Sequence, residues 1–194
     1  MNPVALELVA TVLEYPDART AGYARGAADL VVEDASELAA ALEALADELD
    51  AAPAGAAEER YTPLFDLNPV CTLHVGYHLF GETYQRGAFL AGLSGELRSA
   101  GIETKGGELA DHLSYVLRLL ARVSGEDDRV TLVDQALLPA LNRMCVALGD
   151  SLSSWAFVIR ALPSLVAPLG SGEALELPLP SMPMSSSPEV TLDA

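Results

Sequence analysis

Apolar residues recur at helical spacing along most of this chain, and that periodicity constrains its fold more than any other feature. Stripes spaced by three and four residues lie on one face of a helix, which can be buried against a neighbouring helix. No segment shows the alternation of a half-buried strand, so the sequence predicts an all-α fold. The stripes are Leu6, Val9, Ala10 and Leu13; Leu38, Leu42, Leu45 and Leu49; Phe89, Leu90, Leu93 and Leu97; Leu109, Leu113, Val116, Leu117 and Leu120; Leu137, Leu141, Met144 and Leu148; and Trp155, Val158, Ile159 and Leu162.

Residues that start and stop helices divide these stripes into elements. Asn2 and Pro3 suit the cap and first turn of the first helix, and another helix should begin near Thr83. Pro139 predicts a kink or a helix start, and Pro163 should end the last stripe. We therefore expect a single-domain bundle of about seven or eight helices over residues 1–169, followed by a flexible Pro/Ser-rich tail at 170–194.

The charge balance narrows the classes of partner. The 194 residues include 28 acidic and 11 basic side chains, a formal net charge of −17, and Lys105 is the only lysine. Binding to phosphate backbones or to anionic membranes requires clustered cations, so nucleic acid and membrane surfaces are disfavoured. A basic peptide or protein is the expected partner.

Several features favour a cytoplasmic protein. No Lys or Arg precedes Arg19, so the pattern of a secretory signal is missing. The longest stretch without charged side chains, residues 67–81, is too short and too polar to span a bilayer. Cys71 and Cys145 are the only cysteines and lie far apart in sequence, which favours reduced thiols.

One constellation could bind a metal ion. A helix expected after Pro69 would carry Cys71, His74 and His78 on one face, at i, i+3 and i+7, with His112 conceivable as a fourth ligand. Zinc sites usually need a second close pair of ligands, and the nearby sequence offers none. We therefore keep a small metal-binding protein that uses Cys71, His74 and His78 only as the alternative hypothesis.

A second cluster, Glu108, Asp111 and His112, falls at the expected beginning of a helix. Carboxylates in a first turn are favoured by the helix dipole, so a purely structural role would explain both. A carboxylate and imidazole cluster would also suit an incoming arginine or backbone amide. The usual catalytic motifs, such as a phosphate-binding loop or a nucleophile elbow, are missing, so we expect no enzyme activity.

Three motifs carry a family resemblance. They are Tyr-Thr-Pro-Leu-Phe-Asp at residues 61–66, His-Leu-Phe-Gly-Glu-Thr at 78–83 continued by Arg-Gly at 86–87, and Glu-Leu-Ala-Asp-His-Leu at 108–113. In order and separation they resemble the core of the NarJ-type redox-enzyme chaperones, which are grouped with the TorD and DmsD proteins. Ala110 stands where that family commonly has proline, and Cys71 and His74 match no family feature.

This resemblance implies an all-helical chaperone without a cofactor. It would bind the N-terminal region of the catalytic subunit of a molybdenum enzyme, such as nitrate reductase or a related enzyme. It would hold that subunit in the cytoplasm until the bis-molybdopterin guanine dinucleotide cofactor is inserted. The sequence leaves open which enzyme is bound and whether the chaperone is a monomer or a dimer.

An amphipathic basic helix of the partner could lie in a groove between helices. We place Tyr77, Phe80 and Tyr115 as candidate walls of that groove, although ordinary core packing would also explain them. Glu108, Asp111 and His112 would form its polar end, and Asp111→Ala or His112→Ala should then weaken binding without loss of thermal stability. A third hypothesis is an acidic scaffold whose residues 29–50 and tail contact basic proteins.

Overall fold

The computed structural model describes residues 2–67 and 69–172. Within these ranges the regular secondary structure is helical, apart from one isolated β-bridge. The all-α fold expected from the sequence is therefore confirmed. Seven of the described α-helices have ten or more residues, and π turns join α4 to the loop before α5 and α8 to α9. The helices are α1 (Pro3–Val12), α2 (Thr20–Val31), α3 (Ser36–Ala51), α4 (Ala56–Tyr61), α5 (Val75–Phe80), α6 (Tyr84–Ser99), α7 (Leu113–Arg122), α8 (Glu126–Leu132), α9 (Leu138–Leu148) and α10 (Ser154–Val166); the π turns are Thr62–Asp66 and Val133–Leu137, and a 3₁₀ turn follows at Ala167–Leu169.

Several predicted helix ends are confirmed. The Asn2 side chain accepts a hydrogen bond from the backbone N–H of Val4 at 3.0 Å and caps α1. Thr83 is the N-cap residue of α6, and Pro139 lies in the first turn of α9 rather than in its interior. Local sequence suffices at these positions because capping and proline geometry act within one helical turn.

Helix α10 does not end at Pro163, so that prediction is wrong. The helix continues to Val166, although proline cannot donate a hydrogen bond to the carbonyl four residues earlier, that of Ile159. The thiol of Cys145 points at that carbonyl, with 4.0 Å between sulfur and oxygen. Leu162 and Leu165 are buried on either side of the proline, and their packing against the core offsets the lost hydrogen bond.

Helix α2 was not expected from the sequence. Its buried face is made mainly of alanines, which give a weak hydrophobic stripe. Small side chains let α2 pack closely between α1 and α3. The stripe of buried residues is Thr20, Ala21, Ala24, Ala27, Ala28 and Val31.

The core is organised around α10, which packs on α3 and α9, while α1 packs on α2 and α7. Trp155, the only tryptophan, is fully buried and donates from its indole N–H to the carbonyl of Val12 at 3.3 Å. Tyr61 packs edge-on against Trp155, with 5.6 Å between ring centroids. Its hydroxyl donates to the carbonyl of Leu13 at 2.8 Å. The C-terminal end of α1 is thereby tied to α4 and α10.

The described part of the chain ends beside the π turn that precedes α9. The backbone N–H and the hydroxyl of Ser171 both donate to Asp134, at 3.0 and 2.5 Å. A Cβ at Gly170 would lie 2.0 Å from the same carboxylate, so this contact requires glycine. The expected flexible tail lies, from residue 173 onward, outside the described residues. Among the described helices none is long and apolar enough to cross a membrane.

Candidate functional site

The third family motif and the loop before α5 are joined by an isolated β-bridge between His74 and His112. The backbone N–H of Val75 donates to the carbonyl of Asp111, and that of Leu113 donates to Leu73, both at 2.8 Å. The two histidine rings meet edge to face, with 5.6 Å between their centroids. Residues far apart in sequence are thus held at the N-terminal ends of α5 and α7.

Helix α7 begins at Leu113, later than expected. Glu108 and Asp111 therefore precede the helix, and neither lies in its first turn. His112 is the N-cap residue, because its Nδ1 accepts a hydrogen bond from the backbone N–H of Ser114 at 3.3 Å. The same nitrogen lies 2.8 Å from the Ser114 hydroxyl.

These contacts define the protonation state of His112. Burial lowers the pKa of this imidazole to about 4, so it is neutral near pH 7. Since Nδ1 accepts the capping hydrogen bond, the ring proton lies on Nε2. Nε2 has no hydrogen-bond partner among the described residues, although His112 is only 7% exposed.

Asp111 was expected at the polar end of an open groove, but the structure buries it completely. Its Oδ2 accepts from Nε of Arg86 at 3.1 Å, and its Oδ1 has no partner among the described residues. Gly76 lies directly beneath, since a Cβ there would be 2.7 Å from Oδ2. Asp111 therefore stabilises the junction of α5, α6 and α7 and is not available to a partner in this conformation.

Glu108, His112 and Tyr115 do come together, at a cavity of about 290 Å³ between the C-terminal end of α1, the π turn after α4 and the loop before α7. We call it the aromatic cavity. Aromatic side chains form much of its wall, and three carboxylates and one lysine also line it. The lining residues are Glu14, Tyr15, Tyr61, Phe65, Asp66, Leu73, His74, Lys105, Gly106, Glu108, His112, Ser114 and Tyr115.

The aromatic cavity has a negative character. Burial raises the pKa of the Tyr61 hydroxyl, and the charges of Glu108, Asp66 and Glu14 raise it further. Burial acts in the same upward direction on Glu108, but a hydrogen bond from His74 at 2.9 Å and another from the backbone of Leu109 bring its pKa below the ordinary value. Glu108 is therefore ionised at neutral pH.

The other charged groups of the cavity differ in their pairing. Glu14 accepts from the guanidinium of Arg118 at 2.6 Å. Asp66 and Lys105 form no ion pair within the part of the chain that the structure describes. The backbone N–H of Lys105 donates to the Tyr115 hydroxyl at 2.8 Å, which ties the loop to α7.

Tyr77 and Phe80 lie away from this cavity. Tyr77 is 43% exposed and lines a shallow groove of about 840 Å³, which we call the α5 groove. Phe80 packs on Phe89 instead, with 5.5 Å between ring centroids, as ordinary core packing would predict. His74 lines both the α5 groove and the aromatic cavity, so the two are neighbours. The groove is lined by Pro69, Val70, Cys71, Thr72, His74, Tyr77, His78, Glu82, Arg86, Leu109 and Ala147.

The expected metal-binding face does not form. Cys71 and His74 precede α5, and only His78 belongs to that helix. Both ring nitrogens of His74 have partners, Thr72 at 2.7 Å and Glu108 at 2.9 Å, while Nε2 of His78 lies 2.8 Å from the Thr72 carbonyl. Within residues 2–67 and 69–172, no group of three or more His, Cys, Asp or Glu side chains is arranged to hold a metal ion.

Sequence reasoning missed the contribution of α1 and of the first family motif to the cavity. Tyr61 and Asp66 belong to that motif, yet spacing alone assigned them no role. Glu14 and Tyr15 carry no local signal, because they reach the cavity only after α1 packs against α7.

These observations define an all-helical protein with an acidic, aromatic-lined cavity at the N-terminal end of α7. The chain belongs to the nitrate reductase delta subunit family, whose sequence pattern matches residues 32–160. The resemblance noted in the three motifs is thereby confirmed.

Named relatives agree with this assignment. The chain is 30% identical over 147 residues to the nitrate reductase molybdenum cofactor assembly chaperone NarJ of Escherichia coli strain K12. The protein of the same name from E. coli O157:H7 gives the same identity. The alignment covers 71% of this chain and 60% of the relative, so the chain spans well under the full length of the curated relatives that it matches.

Proposed function

We propose that this chain is a cytoplasmic assembly chaperone for a molybdenum enzyme. It binds the N-terminal region of the catalytic subunit of nitrate reductase, or of a related enzyme that uses bis-molybdopterin guanine dinucleotide, and holds that subunit until the cofactor is inserted. Family membership and the names of the relatives support the class of function. The chaperone itself needs no cofactor for this task.

The observation that carries the proposal is the pair of neighbouring depressions at the ends of α5 and α7. The α5 groove offers the exposed ring of Tyr77 and apolar surface from Val70 and Leu109, which suits the apolar face of a peptide helix. The aromatic cavity, which shares His74 with that groove, offers carboxylates. The net charge of −17 favours encounter with a basic segment.

Binding without catalysis is part of the proposal. Burial raises the pKa of the Cys71 thiol to about 12, so this side chain is not a thiolate nucleophile near neutral pH. Nδ1 of His112 is occupied by the capping hydrogen bond, which leaves that nitrogen unable to act as a general base. Both groups are better explained by structural roles.

Calorimetric titration tests the proposal. The full chain is titrated with a synthetic peptide covering the N-terminal region of a nitrate reductase catalytic subunit encoded in the same genome. Tyr77→Ala should weaken binding about tenfold, because an aromatic anchor is removed from the groove. The matched control is Tyr84→Ala, since Tyr84 is 93% exposed on α6 and lines neither the groove nor the cavity.

Affinity should also fall as the salt concentration rises, because the acidic side chains are screened. No measurable binding by the unmodified chain, to this peptide or to the intact apo catalytic subunit, would contradict the proposal. Equal losses in the Tyr77 and Tyr84 variants would remove the α5 groove from it.

A further inference from the structure

We infer that Arg86 sets the direction in which the partner's helix lies in the α5 groove, because its free guanidinium nitrogens donate to backbone carbonyls in the last turn of that helix. The C-terminal end of the bound helix therefore lies at Arg86, beside Tyr77. This inference rests on the proposed function and names the contact by which the groove orients its ligand.

Arg86 is held firmly, but only part of its hydrogen-bonding capacity is used. Its Nε donates to Oδ2 of the fully buried Asp111 at 3.1 Å, and its guanidinium carbon lies 5.8 Å from the centre of the Tyr77 ring. Nη1 and Nη2 have no hydrogen-bond partner among the described residues, and neither is one of the buried polar atoms that lack a partner, so both are accessible. Since Arg86 lines the α5 groove, these two nitrogens can donate to a ligand that lies there.

The charges around Arg86 favour a neutral acceptor over an anion. Asp111 already balances the charge of the guanidinium, and Glu82 adds a carboxylate to the wall of the groove. The net charge of −17 also repels an anionic ligand. A backbone carbonyl accepts from a guanidinium without this repulsion, and the last turn of an α-helix has carbonyls that the helix itself leaves unpaired.

The protein uses the same contact at its own helix ends. In each of three cases, an arginine of one helix donates to a carbonyl at the C-terminal end of another. The pairs are Arg143 with Leu79 in the last turn of α5 at 3.0 Å, Arg122 with Ala100 at the end of α6 at 3.3 Å, and Arg160 with Gly149 at the end of α9 at 2.6 Å. Arg86 presents the same donors in the α5 groove, where no carbonyl of a described residue occupies them.

The reverse orientation of the ligand would be unfavourable. The N-terminal end of a helix presents unpaired N–H groups and the positive end of the helix dipole. Arg86 has no acceptor atom for those N–H groups, and its charge repels that end of the dipole. The distance of 5.8 Å between the guanidinium and the Tyr77 ring is about one helical turn. An apolar side chain of the last turn can therefore pack on Tyr77 while the carbonyls reach Arg86.

Paramagnetic NMR measures the direction of the bound helix. The probe is the synthetic catalytic-subunit peptide described above, with a nitroxide amino acid at either the first or the last residue of its amphipathic helix. The ends of a helix of about fifteen residues lie about 22 Å apart, so the two labels broaden different signals. With the ¹⁵N-labelled full chain, the C-terminal label should broaden the amide signals of residues 84–90, and the N-terminal label should leave them sharp.

A matched pair of variants tests the role of Arg86. Arg86→Lys keeps a positive charge for Asp111 but lacks the forked donors, so it should weaken peptide binding about fivefold. Arg98→Lys is the control, because Arg98 is exposed on the same helix and lines neither the groove nor the aromatic cavity. Arg86→Lys should also reduce the difference between the two labels, which a loss of stability alone would not do.

A third comparison identifies the acceptor. Peptides in which each Asp or Glu is replaced by Asn or Gln should bind the unmodified chain as tightly as the parent peptide. A substitution that weakens binding to this chain but not to Arg86→Lys would show that a carboxylate is the ligand of Arg86, and it would overturn the inference.

Stronger broadening of residues 84–90 by the N-terminal label, or equal affinities of Arg86→Lys and Arg98→Lys, would also overturn it. The labels are read in the unmodified chain, so the direction of the helix is decided even if Arg86→Lys does not fold. If the peptide binds in the opposite direction, the role of Arg86 is wrong and the chaperone function stands. If neither the peptide nor the intact apo catalytic subunit binds, the proposed function fails, and this inference fails with it.

Discussion

Replacing Gly76 by alanine should destabilise the protein, although alanine is normally the better helix former. A Cβ at this position would lie 2.7 Å from Oδ2 of Asp111, 2.9 Å from Cδ1 of Phe89 and 3.3 Å from Cγ of Arg86. Two of these distances are shorter than carbon side chains tolerate, and Oδ2 is the oxygen that accepts from Arg86. The added methyl group must therefore displace either the ion pair or the Phe89 ring.

The magnitude follows from two opposing effects. Overpacking of a tight core costs about 1 to 3 kcal/mol. The gain in helix propensity and in unfolded-state entropy on changing glycine to alanine is at most about 1 kcal/mol. Gly76→Ala should therefore lower the free energy of unfolding, by up to about 2 kcal/mol, and lower the melting temperature by several degrees.

Gly95→Ala is the matched control. Gly95 lies inside α6, and a Cβ there would meet nothing within 4 Å. This variant should be as stable as the unmodified chain or up to about 1 kcal/mol more stable. The two substitutions are chemically identical, so a difference in sign between them isolates the close approach at Gly76.

Urea unfolding followed by the fluorescence of Trp155 provides the assay, because this single tryptophan is fully buried and does not contact Gly76. The slope of the transition should be the same in all three proteins. If Gly76→Ala proves as stable as Gly95→Ala, the packing of α5 on Asp111 described above is wrong.

Three further substitutions and conditions test the same region. The free energy of unfolding should fall by about 2 to 3 kcal/mol as pH drops from 6.5 towards 4, because His112 binds a proton in the unfolded chain but stays neutral when buried in the folded one. In urea melts, His112→Asn should remove this part of the pH dependence. Tyr61→Phe should lower the free energy of unfolding by about 1 to 2 kcal/mol in the same assay, since the Leu13 carbonyl loses its buried hydrogen-bond donor. Asp111→Ala should lower the free energy of unfolding by about 3 kcal/mol, because it leaves Arg86 without its ion-pair partner. A melting temperature close to that of the unmodified chain would contradict this prediction and restore a purely binding role for Asp111.

The buried position of Asp111 also changes what its substitution can report. The sequence alone placed Asp111 at an open polar end, where alanine should weaken binding and spare stability. In the structure it lies beneath α5 with Arg86, so lost binding in Asp111→Ala would accompany lost structure. Asp66 and Tyr77 are the better probes of binding, because both remain accessible.

Much of the fold could be predicted because its signals are local. Leucine stripes, the Asn2 cap and the position of Pro139 act within one or two turns, so neighbouring residues suffice to define the helix. Prediction failed where packing overrides local preference. Helix α2 is held by an alanine face that carries little hydrophobic contrast, and α10 passes through Pro163 because the surrounding core residues are buried.

The amino-acid sequence by itself determined the all-helical class, the acidic character and the family, since composition, periodicity and motif order do not depend on how helices meet. Only the tertiary structure decided which motif residues share a site. It paired His74 with His112, buried Asp111 under Gly76 and brought Asp66 of the first motif beside Glu108 of the third. These contacts join segments separated by more than thirty residues, and no local pattern specifies them. They form only when α1 packs on α7 and the loop before α5 pairs with the residues before α7.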